Sequence, residues 1–320
     1  MKRFLLLFIP VTALVFVLAS ADGGKKQRTP KTVEELGEKL FFDPILSEKK
    51  TISCASCHKP EFAFADNVPF SFGTDSQRTT RNSPSAMNLG GHDAFFHDGR
   101  AATLEAQALG PIANPVEMNL PVDSAIARLN RHPQYAKLFR KLFNEPANAA
   151  NLGKALAAYE RTLNTSDTPF DRFMQGDSSA MSASAIRGRQ VFNNKGKCFD
   201  CHKGVDFSLD EFKNIGLYND VELNDPGRSE FTKNPADAGK FKVPGLRNVA
   251  VTAPYMHNGM FKTLREVLDY YNTPEKFVKG SIGTDTLVRP LNLSPQEMDD
   301  LEAFLHALTD DQFVKSKNKN

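Results

Sequence analysis

Two short strings hold the residues best suited to chemistry: Cys54-Ala55-Ser56-Cys57-His58 and Cys198-Phe199-Asp200-Cys201-His202. This spacing suits covalent haem attachment, in which two thiols add to the haem vinyl groups and the adjacent histidine turns its imidazole to the iron. A zinc site is the main rival, since two cysteine pairs could supply four thiolates, and a redox dithiol is another. The histidine immediately after both pairs, together with an export signal, favours haem. Cys54, Cys57, Cys198 and Cys201 would then anchor two c-type haems, with His58 and His202 as proximal ligands. They are the only 4 cysteines of the chain, so none remains for a disulfide.

The opposite face of each iron decides what such a protein does. A methionine or histidine there makes an electron-transfer haem, whereas an open face beside an acid–base group allows peroxide or oxygen chemistry. His92, His97 and His257 lie in irregular stretches where a distal ligand would be expected, and Met118, Met256 and Met260 are further candidates. His132 and His306 fit surface or packing roles better. Glu117, in Ala113-Asn114-Pro115-Val116-Glu117-Met118, is a carboxylate in an apolar, proline-bounded stretch; taken alone it fits a solvated side chain.

The elements that must position these groups form two similar halves. The strings begin at positions 54 and 198, 144 residues apart, and each follows a helical pattern: Gly37 with Leu40 and Phe41, then Gly188 with Val191 and Phe192. Thr32 and Glu35 predict a capping box ahead of Val33, Leu36 and Leu40. Each half also closes on a periodic stretch, Leu152, Leu156, Tyr159 and Leu163 in the first, Met298, Leu301, Phe304 or Leu305 and Leu308 in the second. The latter starts with Ser294, Pro295 and Glu297 as cap, first turn and capping box. Strand signals are few, so the expectation is a mainly α protein of two cytochrome c-like domains, each with one covalently attached haem. The expected bounds are 32–164 and 182–310, joined by a linker over 165–181 rich in Ser, Asp, Thr and Gly. Residues 60–125 and 203–260 have little periodicity and need something large, such as haem, to pack on.

The 320 residues are 40% hydrophobic and 24% charged, with 40 Lys+Arg against 38 Asp+Glu, which excludes disorder and makes nucleic acid an unexpected partner. Lys2 and Arg3 precede an apolar run from Phe4 to Leu18 and then Ala19-Ser20-Ala21, the pattern of a cleaved secretory signal over residues 1–21. An uncleaved anchor is the alternative, although the run is short for a span.

With these residues in place, the chain resembles the bacterial di-haem cytochrome c peroxidases and their relative that matures the tryptophylquinone cofactor of methylamine dehydrogenase. The resemblance runs from about Leu36 to Leu308. It rests on both haem strings, Arg81-Asn82-Ser83-Pro84, Phe96-His97-Asp98-Gly99-Arg100, Gln107 through Gly110-Pro111, Val116-Glu117-Met118, Thr168-Pro169-Phe170-Asp171, Leu246-Arg247-Asn248 and Pro254-Tyr255-Met256-His257-Asn258-Gly259. It implies a peroxidatic haem at His58, a relay haem at His202 and a catalytic Glu117 with Gln107 in the same pocket, overturning the solvated reading of Glu117. It also implies an inter-domain calcium held by Asn82, Thr252 and Pro254, a set of oxygen ligands that suits calcium.

Three departures stand out. Where many of these peroxidases hold a displaceable histidine over the reactive haem, this chain has Thr74 beside Asp75, which implies a haem open in the oxidised state. The relay haem's methionine ligand aligns with Tyr271, with Tyr270 as the alternative register. The tryptophan usual between the haems is replaced by His97, and the chain has 0 Trp, so inter-haem coupling must take another route. The leading expectation is a periplasmic peroxidase that reduces hydrogen peroxide to water with electrons from a small cytochrome c or copper protein. The alternatives are an oxidant that modifies side chains of a partner protein, favoured by Tyr271, and a non-enzymatic di-haem electron carrier. Homodimerisation is a further expectation of the resemblance.

Overall fold

A computed structural model describes residues 29–317. The leader over 1–21 lies outside the described residues. Among those described, no helix is long and apolar enough to cross a membrane.

The first half contains α1 (Val33–Phe42), α2 (Leu104–Ala113), α3 (Val122–Arg131), α4 (Pro133–Phe143) and α5 (Ala149–Glu160). Helix α6 (Pro169–Met174) follows, and then α7 (Ala183–Asn193), α8 (Ser229–Thr232), α9 (Leu264–Asn272), α10 (Pro295–His306) and α11 (Asp311–Lys317). The only named strands among the described residues are two-residue pieces, β1 (Phe212–Lys213) and β2 (Phe241–Lys242), paired antiparallel with Phe212 opposite Lys242.

Local chemistry explains the helix starts. Thr32 accepts from the Glu35 N–H at the head of α1, and Ser294 and Glu297 exchange both bonds of a capping box at the head of α10, with Pro295 in its first turn. The closing helix of the first half stops at Glu160, so Leu163 lies beyond it, its carbonyl accepting from the Asn88 N–H. The segment 165–181 is docked in its first part, where Thr168 and Asp171 form a capping box for α6 and Phe170 packs on Phe207 and Phe304, whereas residues 174–179 are exposed.

Each half has its own core. In the first, α1 crosses α5 and buries Leu36, Leu40, Leu152 and Leu156; in the second, α7 crosses α10 and buries Phe192, Leu301, Phe304 and Leu308. The two crossings are built alike. A Cβ on Gly37 would overlap the Ala155 carbonyl oxygen, and one on Gly188 would overlap that of Asp300. Only glycine lets each helix backbone come so close.

The halves meet around a partly buried ion cluster. Arg81 reaches Asp98 with Nη1 at 2.7 Å and Asp225 with Nε at 2.7 Å. Asp225 belongs to the second half, so this cluster ties the halves together with charge-assisted bonds.

Candidate functional site

Both haem strings fold into the same short turn. Cys54–Ser56 and Cys198–Asp200 are single 3₁₀ turns, and the N–H groups of His58 and His202 donate to the carbonyls of Cys54 and Cys198 at 2.9 and 2.8 Å. The histidine rings are then pinned by backbone carbonyls. His58 Nδ1 lies 3.0 Å from Phe64 O and 3.1 Å from Pro84 O; His202 Nδ1 lies 3.1 Å from both Phe207 O and Pro244 O.

A carbonyl can only accept, so Nδ1 carries the proton in both rings and Nε2 keeps its lone pair free. This is the tautomer and orienting bond of a metal-bound imidazole. Burial pushes both histidines down, towards the neutral form a ligand needs, and pushes the thiols up, Cys57 to about 11 and Cys198 to about 12. The donor set fits two c-type haems. It does not fit one four-thiolate zinc site, because the cysteine pairs sit in separate halves and no three His, Cys, Asp or Glu converge among the described residues.

Cys54, Cys57 and His58 border a cavity of about 1030 Å³. That is at the upper limit of ordinary small-molecule pockets, as a haem with access to its edge requires. Gln107, from α2, and Glu117 border the same cavity, so the structure brings together the groups expected there. Asn114 Nδ2 donates to Glu117 Oε1 at 2.6 Å, and the Glu117 carbonyl accepts from the Thr74 N–H at 2.7 Å. Burial raises the Glu117 carboxyl above its ordinary value, against the pull of Asn114 and Arg100. Gly73 borders the cavity while the neighbouring Thr74 is buried, its Oγ1 without a hydrogen-bond partner.

The second string has a tyrosine pair close by on α9. Tyr270 is buried and its hydroxyl donates to Ile215 O. Tyr271 is half-buried, and its hydroxyl makes no hydrogen bond among the described residues. Burial, then Tyr270, Cys198 and Cys201, push it up. Of the two tyrosines, Tyr271 therefore has the uncommitted hydroxyl.

Of the other expected ligands, His92, His97 and Met118 also border the cavity, but the two histidines are paired with other groups. His92 Nδ1 pairs with Asp210 at 2.8 Å, His97 Nε2 lies 2.9 Å from Asn82 O, and His257 stacks on Phe241 with centroids 3.9 Å apart. Met118 is buried in the first core and Met260 is exposed. For the expected calcium set, Asn82 uses Nδ2 on Val68 O and Pro69 O, which leaves Oδ1 uncommitted. The carbonyls of Thr252 and Pro254 likewise accept no hydrogen bond among the described residues.

At the cavity, Glu160 escapes sequence reasoning, and Arg100 enters it only as part of a motif, without a role. Glu160 ends α5 and is 6% exposed, its carboxylate without a hydrogen-bond partner among the described residues; burial pushes that carboxyl up to about 8. Arg100 lies over the Phe96 ring at 3.6 Å and bonds Asp98. A second internal repeat runs through this region: His97 with Gly99, Thr103 and Leu104 matches His257 with Gly259, Thr263 and Leu264, with Met260 where the first copy has Arg100. Both segments fold alike, with bridges Phe95 to Ala101 and Tyr255 to Phe261.

Comparison with known proteins gives two family matches, di-haem cytochrome c peroxidase over residues 31–179 and cytochrome c over 185–309. The methylamine utilization protein MauG of Methylorubrum extorquens is 40% identical over 287 residues, covering 88% of this chain and 78% of that protein. A cytochrome c551 peroxidase of Pseudomonas aeruginosa is 36% identical over 314 residues, covering 96% of this chain and 85% of its own. Among solved structures, a MauG-like protein associated with microbial copper homeostasis superposes with a TM-score of 0.80 at 31% identity, covering 90% of this chain and 92% of that one. The diheme peroxidase BthA of Burkholderia thailandensis gives 0.78 at 26%, covering 90% and 88%.

Proposed function

The chain belongs to the di-haem cytochrome c peroxidase family, a peroxide-acting oxidoreductase with two c-type haems, and from that premise we propose that it reduces hydrogen peroxide to water at the His58 side. Electrons enter at the His202 side from a small cytochrome c or copper protein, and the mature chain works in the periplasm. The observation that carries this reading is the meeting of Glu117, Gln107 and His58 around one cavity.

Cys54, Cys57 and His58 would hold a haem here, which would supply a redox-active, Lewis-acidic iron for peroxide chemistry. Glu117 then has one task. Its carboxylate takes the proton of the inner oxygen and delivers it to the outer oxygen, which leaves as water. Two further protons and two donor electrons complete the conversion of one peroxide into two waters. Asn114 holds Oε1 in place, so the carboxyl need not search for its orientation. Gln107 offers an amide for peroxide to lean on. With Thr74 buried and no histidine at that place, the peroxide face is open in the oxidised protein.

On this reading Tyr271 would help hold the second haem iron together with His202, and Asn82, Thr252 and Pro254 would offer oxygens to a calcium ion. The bounds 32–164 and 182–310 and a homodimer belong to the same proposal. A second reading, an oxidant that modifies a partner protein's side chains, is favoured by the uncommitted hydroxyl of Tyr271 and by likeness to MauG. A bare electron carrier is set aside, because the relatives include peroxidases.

The test is peroxide-dependent oxidation of a reduced small cytochrome c by the fully oxidised holoprotein without reductive pre-treatment. Rapid turnover is expected. A long-lived oxidised species without donor turnover would instead favour the protein-modifying reading.

A further inference from the structure

The segments that orient the two proximal histidines reach across the interface in the same way. Pro84 O holds His58 and Pro244 O holds His202. Two residues before each proline, the backbone crosses to the other half: the Asn82 N–H donates to His257 O at 2.7 Å, and the Lys242 N–H donates to His97 O at 2.7 Å. Since Lys242 points its N–H towards His97, that group is free of the β1–β2 ladder.

This matched pair of straps is broken in one place. His257 stacks its ring on Phe241, whereas the His97 ring turns to Asn82 O at 2.9 Å. Because that oxygen can only accept, His97 Nε2 carries the proton. His97 therefore joins both straps, taking the Lys242 N–H on its carbonyl and giving its ring N–H to Asn82. The path from ring to ring is complete: His202 to Pro244, through the backbone to Lys242, across to His97, through its ring to Asn82, along the backbone to Pro84, and on to His58. Each non-covalent joint is a hydrogen bond between 2.7 and 3.1 Å.

We propose that His97 closes a hydrogen-bonded bridge between the two proximal histidines and that electrons pass between the two haem sites along it. This rests on the assignment of His202 to the relay side and His58 to the reactive side. In each passage one electron leaves the His202 side, which is oxidised by one unit, and arrives at the His58 side, which is reduced by one; the small redox donor replaces it. No bond forms or breaks and no proton moves, because His97 keeps its Nε2–H. The carbonyl and the ring N–H of His97 are both paired, which holds the geometry a bridge of this kind requires.

The test measures transfer itself rather than turnover. One electron is delivered to the oxidised holoprotein by flash photolysis, without peroxide, and the redistribution between the two haem spectra is followed in time. His97→Phe keeps a ring but loses the N–H, whereas His97→Gln keeps a donor without the ring. Lys242→Pro removes the backbone N–H at the other joint and Lys242→Met keeps it.

The bridge predicts severalfold slower redistribution in His97→Phe and Lys242→Pro, with His97→Gln and Lys242→Met close to the parent. Should Lys242→Pro fail to fold, the two His97 variants decide alone. Fast transfer in His97→Phe with slow transfer in His97→Gln would make the ring the conductor and overturn the bridge. Parent rates in all variants would overturn it as well. Since no peroxide is present, either result leaves the peroxide chemistry to its own test.

Discussion

Replacing Glu117 by glutamine separates proton transfer from everything else that residue does. The side chain has one hydrogen-bond partner among the described residues, Asn114, which donates to Oε1, and its carbonyl holds the Thr74 N–H. Glutamine keeps the size, the acceptor and the backbone, so loop and cavity survive. It also removes a carboxyl that burial already disfavours in its charged form, so stability should not fall. What disappears is a group that can take a proton from one peroxide oxygen and return it to the other. Positioned acid–base groups contribute about 10²–10⁴-fold, or about 3–5 kcal/mol of barrier.

The assay is stopped-flow mixing of oxidised holoprotein with excess peroxide, followed at the haem bands, with a thermal melt on the same sample. The expected result is a loss in that range with an unchanged melt. The pH profile adds a sign: Glu117 must be ionised to accept a proton, so the parent rate should rise with pH through an apparent pKa above the ordinary 4.5, and the variant should lack that rise. A variant that reacts with peroxide as fast as the parent would refute the assignment.

Other expectations concern the frame around the site. Glu160 is pushed up to about 8 from 4.5, so between those values the folded chain holds a proton that the unfolded chain has released, and stability falls as pH rises across the window. Glu160→Gln should flatten that dependence in urea melts at pH 5 and pH 8, and equal slopes in parent and variant would contradict it. Gly188→Ala forces a methyl into the Asp300 carbonyl and should cost about 1–3 kcal/mol or more, visible as a lower melting transition. Tyr271→Phe should raise the potential of the second haem and abolish its phenolate signature, since a phenolate favours the ferric state. The same change in Tyr270→Phe instead would move the ligand by one residue.

Much of this was legible before any coordinates. Covalent haem chemistry fixes the Cys-x-x-Cys-His spacing, and helix caps are local, so Thr32, Ser294, Pro295 and Glu297 could be placed from neighbours alone. Glu117 was legible only through resemblance, because nothing local distinguishes it from a solvated glutamate. The docking of α6 was hidden for a different reason: its segment has a linker's composition, and what holds it is the distant contact of Phe170 with Phe207 and Phe304. Glu160 lies within a periodic apolar stretch, and nothing in its neighbours marks it as buried. Its burial depends on a cavity wall assembled from loops with no period of their own.

The crossing straps also bear on how the chain is made. The segment that orients His58 is tied at Asn82 to His257, near the other end of the chain, whereas the segment that orients His202 is tied at Lys242 back to His97. Contacts so distant in sequence close late in folding. As synthesis runs from the N-terminus, the first pocket to be translated waits for the second half before its histidine is fully held. A cut within 175–178 would leave two fragments, each keeping its own crossed helices, α1 with α5 or α7 with α10, and each with a loosened proximal ligand. The halves are packed separately but finished together.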